Sequence, residues 1–215
     1  MPLSTLIHPF HPAEGPPPGR LGAFIRWALS GAWPGIWIST GISALGGVTE
    51  VMSALVMGMV VDAATGGQIA TFFADNWVML LAFAAFFLLL RPLAFGLNSA
   101  ANFLTIAPNV EPLVLSRLNR FTMGQDIGFF DNDFAGRIAQ KQIQTARALT
   151  EVVAESINTV AFALSSLIGS AALVGSIDWR LGLVLVIWSA CYLALIRAFM
   201  PHIRKRAAAR AGARA

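Results

Sequence analysis

The sequence predicts an all-α membrane protein with four transmembrane helices, because apolar residues dominate it and its few charges are clustered. The 215 residues are 56% hydrophobic and 12% charged, with a mean hydropathy of +0.67. A soluble domain usually carries about twice that charged fraction. A soluble core built from helices that are apolar all round is rare in so short a chain, so the membrane interpretation is preferred. Uncharged runs include 27–49, 63–74, 76–90, 92–110 and 156–177.

Residues 1–19 are predicted to form a flexible cytosolic lead. Five prolines between positions 9 and 18 favour extended backbone and remove amide donors. Proline and acid stand where a secretory signal needs a basic and then an apolar stretch, so no such signal is predicted. His8 and His11 are interpreted as solvated linker residues and not as metal ligands.

A short helix lying at the membrane surface is predicted over residues 21–31. Its apolar residues recur at helical spacing, and Arg20 and Arg26 fall off that stripe. Trp33 and Trp37 then stand where an aromatic belt anchors the first span.

A membrane domain is predicted at 20–203, with a basic Ala/Arg tail at 204–215. A bilayer core requires about 20 apolar residues per helix. Basic residues are abundant at both ends and in the long loop 107–151, but the loop 62–76 has none. Both termini and the long loop are therefore predicted to face the cytoplasm, in a bacterial inner membrane. The predicted spans are 34–61, 77–106, 152–177 and 181–200.

The charge and cysteine content predict neither a nucleic-acid partner nor a catalytic or metal site. The net charge of +4 is explained by the basic residues of the segments predicted to face the cytoplasm. Cys191 is the single cysteine and lies in the fourth span, so no internal disulfide or thiolate cluster is possible. No serine, histidine and acid share one membrane depth, and His202 lies alone in the basic tail.

Two ionisable residues interrupt the apolar spans. Glu50 lies deep in the first span, and Arg91 lies in the second, followed by Pro92, which is expected to kink the helix. Charged residues at such depth usually face protein or a water-filled cavity. Two interpretations of Glu50 stay open: contact with a substrate or cation, and a bond between helices in which Arg91 is a possible partner.

Small residues are concentrated on two spans, where they predict close helix packing. On the first span they are Gly41, Ser43, Gly46 and Gly47, and on the third Gly169, Ser170 and Gly175.

Two long helices are predicted to project from the membrane. An amphipathic pattern begins at Gly136 and continues without a break to Ile177. Such a helix would be about 60 Å long, roughly twice a bilayer core. The second span is expected to continue to about Met123. Both helices would hold the turn 129–136 far from the membrane.

Residues 129–141, FFDNDFAGRIAQK, resemble the first intracellular loop of ABC exporters. The segment DWRL at 178–181 resembles the short external turn that follows the third span in these proteins. The resemblance covers 21–203. Lys141 and Gln142 depart from the family pattern, which places an arginine and a hydrophobic residue there.

The resemblance implies the membrane part of an exporter that couples ATP hydrolysis to transport of amphiphilic, lipid-like or multidrug substrates. A nucleotide-binding domain would bind ATP and Mg, and would receive the coupling helix 129–136. Asp131 and Asn132 would cap this helix or bond the partner, and Gly136 would permit the turn into the next helix. A second half-transporter, identical or different, and membrane lipid are the other implied partners. The implied docking residues are Phe129, Phe130, Asp131, Asn132, Phe134 and Gly136, and a possible substrate cavity contains Glu50 and Arg91.

The family has six spans and a nucleotide-binding domain, whereas this sequence shows four spans and no G-x-x-x-x-G-K-[ST] motif. The chain alone is therefore not expected to be an enzyme. It is expected to be an N-terminal piece of an exporter subunit, from a truncated or frameshifted reading frame. The alternative is a non-transporting, four-helix membrane subunit whose cytosolic hairpin docks a soluble partner. Two further spans and a phosphate-binding motif in the downstream DNA would favour truncation.

Overall fold

The computed structural model describes residues 6–66, 71–131 and 135–212, and it describes side chains there except at 131, 135 and 202–212. The regular structure of these residues is entirely helical, as predicted. The helices are α1 Leu21–Ala28, α2 Trp33–Gly66, α3 Phe72–Asp75, α4 Trp77–Ala85, α5 Arg91–Ala101, α6 Ala107–Met123, α7 Ile127–Asp131, α8 Ala135–Glu155, α9 Phe162–Ile177 and α10 Trp179–Gly212. The π-helical turns Phe86–Leu90, Asn102–Ile106 and Ser156–Ala161 join α4 to α5, α5 to α6 and α8 to α9.

Four helical stretches of the described chain are long and apolar enough to cross a membrane. They are Trp33–Gly66, Trp77–Met123, Gly136–Ile177 and Trp179–Pro201. The second and third contain π turns but no break, so the prediction of two long continuous helices is confirmed. With 47 and 42 residues, they measure roughly 70 and 60 Å at 1.5 Å per residue. Both therefore extend well beyond a single hydrocarbon core of about 30 Å.

The described part of the N-terminal segment, residues 6–19, packs on the helices instead of lying free. Ile7 is 1% exposed and belongs to the same buried cluster as Ala28 and Val110. Ser116 Oγ donates to the carbonyl oxygen of Pro9 at 3.1 Å. The described part of the expected flexible lead is thus a strap of bends and turns, and it is bonded to α6 through the carbonyl oxygen of Pro9.

Arg117 of α6 fastens this strap to the end of α1. Its side chain is buried, and Nε donates to the carbonyl oxygen of His11 at 3.0 Å. Nη1 donates to the carbonyl oxygens of Trp27 and Ala28 at 2.8 and 2.9 Å. Nη2 donates to the carbonyl oxygen of Ser30 at 2.6 Å. Helix C-termini leave carbonyl groups unpaired and carry partial negative charge, so a buried cation suits this position.

Small residues allow α2 to approach the start of α9 closely. A Cβ atom at Gly47 would lie 2.1 Å from Ser165 Oγ and 2.5 Å from the carbonyl oxygen of Phe162. A Cβ atom at Gly46 would lie 3.6 Å from the Phe162 ring, which is ordinary contact. The predicted close packing of the first span is confirmed at Gly46 and Gly47.

The chain divides into two compact units, Met1–Ser166 and Leu167–Ala215. Within the second unit, a Cβ atom at Gly182 of α10 would lie 2.9 Å from Gly175 Cα. Gly175 therefore serves the close packing that the small residues of the third span predict.

Candidate functional site

The far end of the α6–α8 hairpin is formed by the short helix α7, which Asp126 caps. Oδ1 of Asp126 accepts a hydrogen bond from the backbone N–H of Phe129 at 3.2 Å. This is the bond that a side chain makes when it caps a helix N-terminus. Asp131, one of the two residues expected to cap the helix, is instead its last residue. Asn132, the other, and Phe134 lie outside the described residues.

The hairpin tip, defined here as Met123, Ile127, Phe129 and Phe130, presents an apolar surface. The rings of Phe129 and Phe130 pack edge to face with centroids 5.4 Å apart. Exposure is 76% at Met123, 80% at Ile127 and 38% at Phe129. A group of exposed large apolar side chains is typical of a surface that binds another protein.

Below the tip, a side-chain hydrogen bond joins the two helices of the hairpin. Gln142 of α8 donates from Nε2 to Thr122 Oγ1 of α6 at 2.5 Å. Gln142 is one of the departures from the family pattern, and here it supplies a bond between the two helices. Gly136, expected to permit the chain reversal, is the second residue of α8. Among the described residues, the glycines with positive φ are Gly15 and Gly31, and Gly136 is not one of them.

The structure brings together the two predicted cavity residues, Glu50 of α2 and Arg91 of α5. Nη2 of Arg91 donates to Glu50 Oε2 at 3.0 Å and to Oε1 at 3.3 Å. The rings of Phe87 and Phe95 each lie 5.7 Å from the guanidinium carbon. The two side chains remain 37% and 44% exposed, for Arg91 and Glu50 respectively. Of the two interpretations of Glu50, the bond between helices is therefore present. Both side chains also remain partly exposed, so the pair is accessible to another molecule.

A second polar contact between spans joins two π turns. Asn102 Nδ2, in the second π turn, donates to Asn158 Oδ1, in the third, at 2.5 Å. The same amide group also donates to the carbonyl oxygen of Asn98 at 3.1 Å. Neither residue is charged, so charge within an apolar span does not reveal this pair, although two asparagines at such depth are themselves a signal. Turns of π type occur frequently at functional sites.

A double-mutant cycle tests how strongly the ion pair binds α2 to α5. Glu50→Gln and Arg91→Gln are each expected to lower the free energy of unfolding. The double variant should lose less than the sum, with a coupling of about 1–2 kcal/mol. The measurement is denaturant unfolding of the reconstituted chain. Additive losses would show that the contact contributes no net stability.

Comparison with known proteins gives one family and one curated relative. The model of the family described as the ABC transporter transmembrane region matches residues 36–215. An uncharacterized ABC transporter ATP-binding protein of Haemophilus influenzae is 27% identical over 207 residues, which are 95% of this chain and 33% of that protein. The chain thus spans about a third of the length of the curated relative that it matches. No solved structure matches the chain significantly.

Proposed function

Because this chain belongs to the ABC transporter transmembrane region family, we propose that it is the membrane part of an ATP-driven exporter whose nucleotide-binding domain docks on the hairpin tip. Membership of the family and four apolar helices make the chain an integral membrane protein of ABC-type transport. In the assembled transporter, ATP and Mg would be bound by the nucleotide-binding domain. The name of the curated relative, an ATP-binding protein, supports that partner.

The exposed hairpin tip is the observation that carries the proposal. Two long helices hold it well beyond the length that a bilayer core occupies. Exposed aromatic and aliphatic side chains at such a tip suit the apolar anchors of a protein interface. Basic residues in the same loop favour a cytoplasmic location, where ATP is available. Movement of the bound domain would reach the membrane as displacement of the rigid hairpin.

The proposed substrate is amphiphilic, and its path passes the Glu50–Arg91 pair. A half-exposed ion pair beside Phe87 and Phe95 offers charge and apolar surface at one place. Ionisable groups inside a membrane span commonly mark substrate pathways. A second half-transporter, identical or different, would complete the cavity, in a bacterial inner membrane with both termini cytoplasmic.

Replacing Phe129 and Phe130 by serine in the assembled transporter tests the docking function. Loss of two apolar anchors should reduce binding of the nucleotide-binding domain and substrate-stimulated ATP hydrolysis by about tenfold or more. The measurements are ATPase rate and transport in proteoliposomes. Ile143→Ser is the matched control, since Ile143 is 39% exposed on α8 and lies outside the hairpin tip.

Unchanged binding, ATPase activity and transport in the double variant would contradict the proposal. An equal loss in the Ile143→Ser control would contradict it as well, because the effect would then not depend on the tip. Either result would mean that the hairpin tip is not the docking surface.

A further inference from the structure

Two serines of α2, Ser39 and Ser43, are buried, and their hydroxyl groups make no hydrogen bond within the part of the chain that the structure describes. Other hydroxyl groups on the same helix do make one. Thr40, Thr49 and Ser53 each donate to the carbonyl oxygen four residues earlier, at 2.7 to 2.9 Å. The two serines therefore differ from their neighbours, because their hydroxyl groups are not used by their own helix.

Two side-chain amide groups of the second span also have unpaired oxygen atoms. Oδ1 of Asn98 and Oδ1 of Asn102 are buried and accept no hydrogen bond from any described residue. The amide nitrogen of Asn102 donates to Asn158 Oδ1 and to the carbonyl oxygen of Asn98, which uses both of its hydrogens. The oxygen of that amide group is therefore the part that still needs a partner, and the partner must be a donor.

The four groups lie at the same level of the contact between α2 and the second span. Two contacts align these antiparallel helices. Glu50 bonds Arg91, and a Cβ atom at Gly35 would lie 3.3 Å from Thr105 Cγ2. Residues that are equally far back from Glu50 and forward from Arg91 stand opposite each other, since both helices rise by the same amount per residue. The pairs that result are Ser43 with Asn98 and Ser39 with Asn102.

The four groups also lie on the faces that meet. At about 100° per residue, each of the two serines lies within about 80° of Gly35, on the side of α2 that also carries Glu50. Each of the two asparagines lies within about 20° of Arg91 on the second span. Two hydroxyl groups thus face two amide oxygens across the helix contact, although no direct bond joins them. Leaving all four unpaired in a buried place would cost free energy.

We propose that a buried water molecule joins α2 to the second span at this level, bound by the hydroxyl groups of Ser39 and Ser43 and by the amide oxygens of Asn98 and Asn102. A water molecule can accept from both hydroxyl groups and donate to both amide oxygens. Buried waters typically make about three such bonds, to groups that are otherwise unpaired. The site is separate from the ion pair between α2 and α5 and does not depend on the proposed transport function.

A metal cation suits the same four groups less well. Hard cations such as Ca²⁺ take about 6–8 oxygen ligands, commonly with carboxylates among them. Here the ligands would be four neutral oxygen atoms, and the hydroxyl hydrogens would remain unused. The melting temperature of the full chain in liposomes should therefore be the same in sodium chloride and in choline chloride, with and without Ca²⁺. A melting temperature that rises with either cation would assign the site to that cation and overturn the proposal.

Solid-state NMR with transfer of magnetisation from water protons tests the site directly. The full chain, isotope-labelled in serine and asparagine, is placed in liposomes. Transfer to Cβ of Ser43 should be faster than transfer to Cβ of Ser53, the matched control, whose hydroxyl group is used within α2. Ser43 is 0% exposed and Ser53 is 8% exposed, so exposure alone would give the opposite order. Equal transfer to the two serines, or faster transfer to Ser53, would refute the bound water.

A Ser39→Ala, Ser43→Ala double variant gives an independent measurement. The water would lose both of its donors, so the melting temperature should fall and transfer from water to the Asn98 side chain should weaken. Removal of two hydroxyl groups that have no partner at all would instead leave the melting temperature unchanged or raise it. That result, in a chain that retains its helical circular dichroism, would overturn the proposal. Ser53→Ala should leave the transfer to Asn98 unchanged, and an equal loss there would overturn it too.

Discussion

Replacing Arg117 by alanine is expected to lower the free energy of unfolding by about 3–5 kcal/mol. The guanidinium makes four hydrogen bonds to backbone carbonyl groups of three segments. Hydrogen bonds from a charged donor are stronger than neutral ones, and each acceptor left buried without a partner is costly. The loss is therefore larger than that of an ordinary surface arginine.

Arg120→Ala is the matched control for this variant. Arg120 lies one helical turn away on α6, is exposed, and donates to the carbonyl oxygen of Phe10 at 3.3 Å. Its removal should cost less than about 1 kcal/mol, as is usual for an exposed polar contact. Equal stability of the Arg117→Ala and Arg120→Ala variants would show that the buried bonds do not hold the fold.

Hydrogen exchange adds a local measurement to the same prediction. In the Arg117→Ala variant, amides of α1 should exchange faster, because the segment loses the cation at its C-terminus. Exchange in α9 should change less, since the hydrogen bonds of Arg117 go to His11, Trp27, Ala28 and Ser30. A uniform increase would indicate loss of the whole fold and not release of one segment.

Much of the membrane architecture is predictable because it depends on composition. Uncharged runs longer than a bilayer requires leave few alternatives to spanning helices. The long helices are also predictable, since the stripe that begins at Gly136 continues without proline or glycine clusters into the third span. The π turns have no comparable signal, because they insert a local change of hydrogen bonding without interrupting the helix.

The N-terminal segment shows what a local pattern omits. Prolines between positions 9 and 18 restrict the backbone, but they do not decide whether that backbone is free or packed. The hydrogen bonds from Arg117 join residues that are 87 to 106 positions apart in sequence, and Ile7 is buried in the cluster that contains Ala28 and Val110. In the sequence, Arg117 is one of the basic residues of the loop 107–151 that predict the topology. The number of charges in a loop does not show which of them is buried.

Within the candidate site, charge in an apolar run was the useful signal. Glu50 and Arg91 are rare residue types at their depth, so each limits the partners of the other. Asn102 and Asn158 carry no charge, so this signal does not reveal their contact. Asp126 and Asp131 flank the short helix α7, and sequence alone does not fix which of them precedes its first turn.

Gly47→Ala is expected to destabilise the chain by about 3 kcal/mol, although the substitution adds one methyl group. The new carbon would lie 2.1 Å from Ser165 Oγ and 2.5 Å from the carbonyl oxygen of Phe162. A serine side chain can rotate away, but the backbone carbonyl moves only if α2 and the start of α9 separate. Denaturant unfolding of the reconstituted chain measures the loss.

Gly41→Ala provides the opposite result from the same chemical change. Gly41 lies on the same helix and has no atom within 4 Å of a Cβ placed there. Alanine should therefore stabilise this position by about 0.5–1 kcal/mol, its advantage over glycine in a helix. If Gly47→Ala stabilised the chain as well, helix propensity would govern both glycines and close packing neither. A Gly47→Ala, Ser165→Ala double variant refines the test. Because the clash with the Phe162 carbonyl group remains, the second substitution should restore only part of the lost stability. Complete restoration would show that the Ser165 hydroxyl group alone causes the constraint.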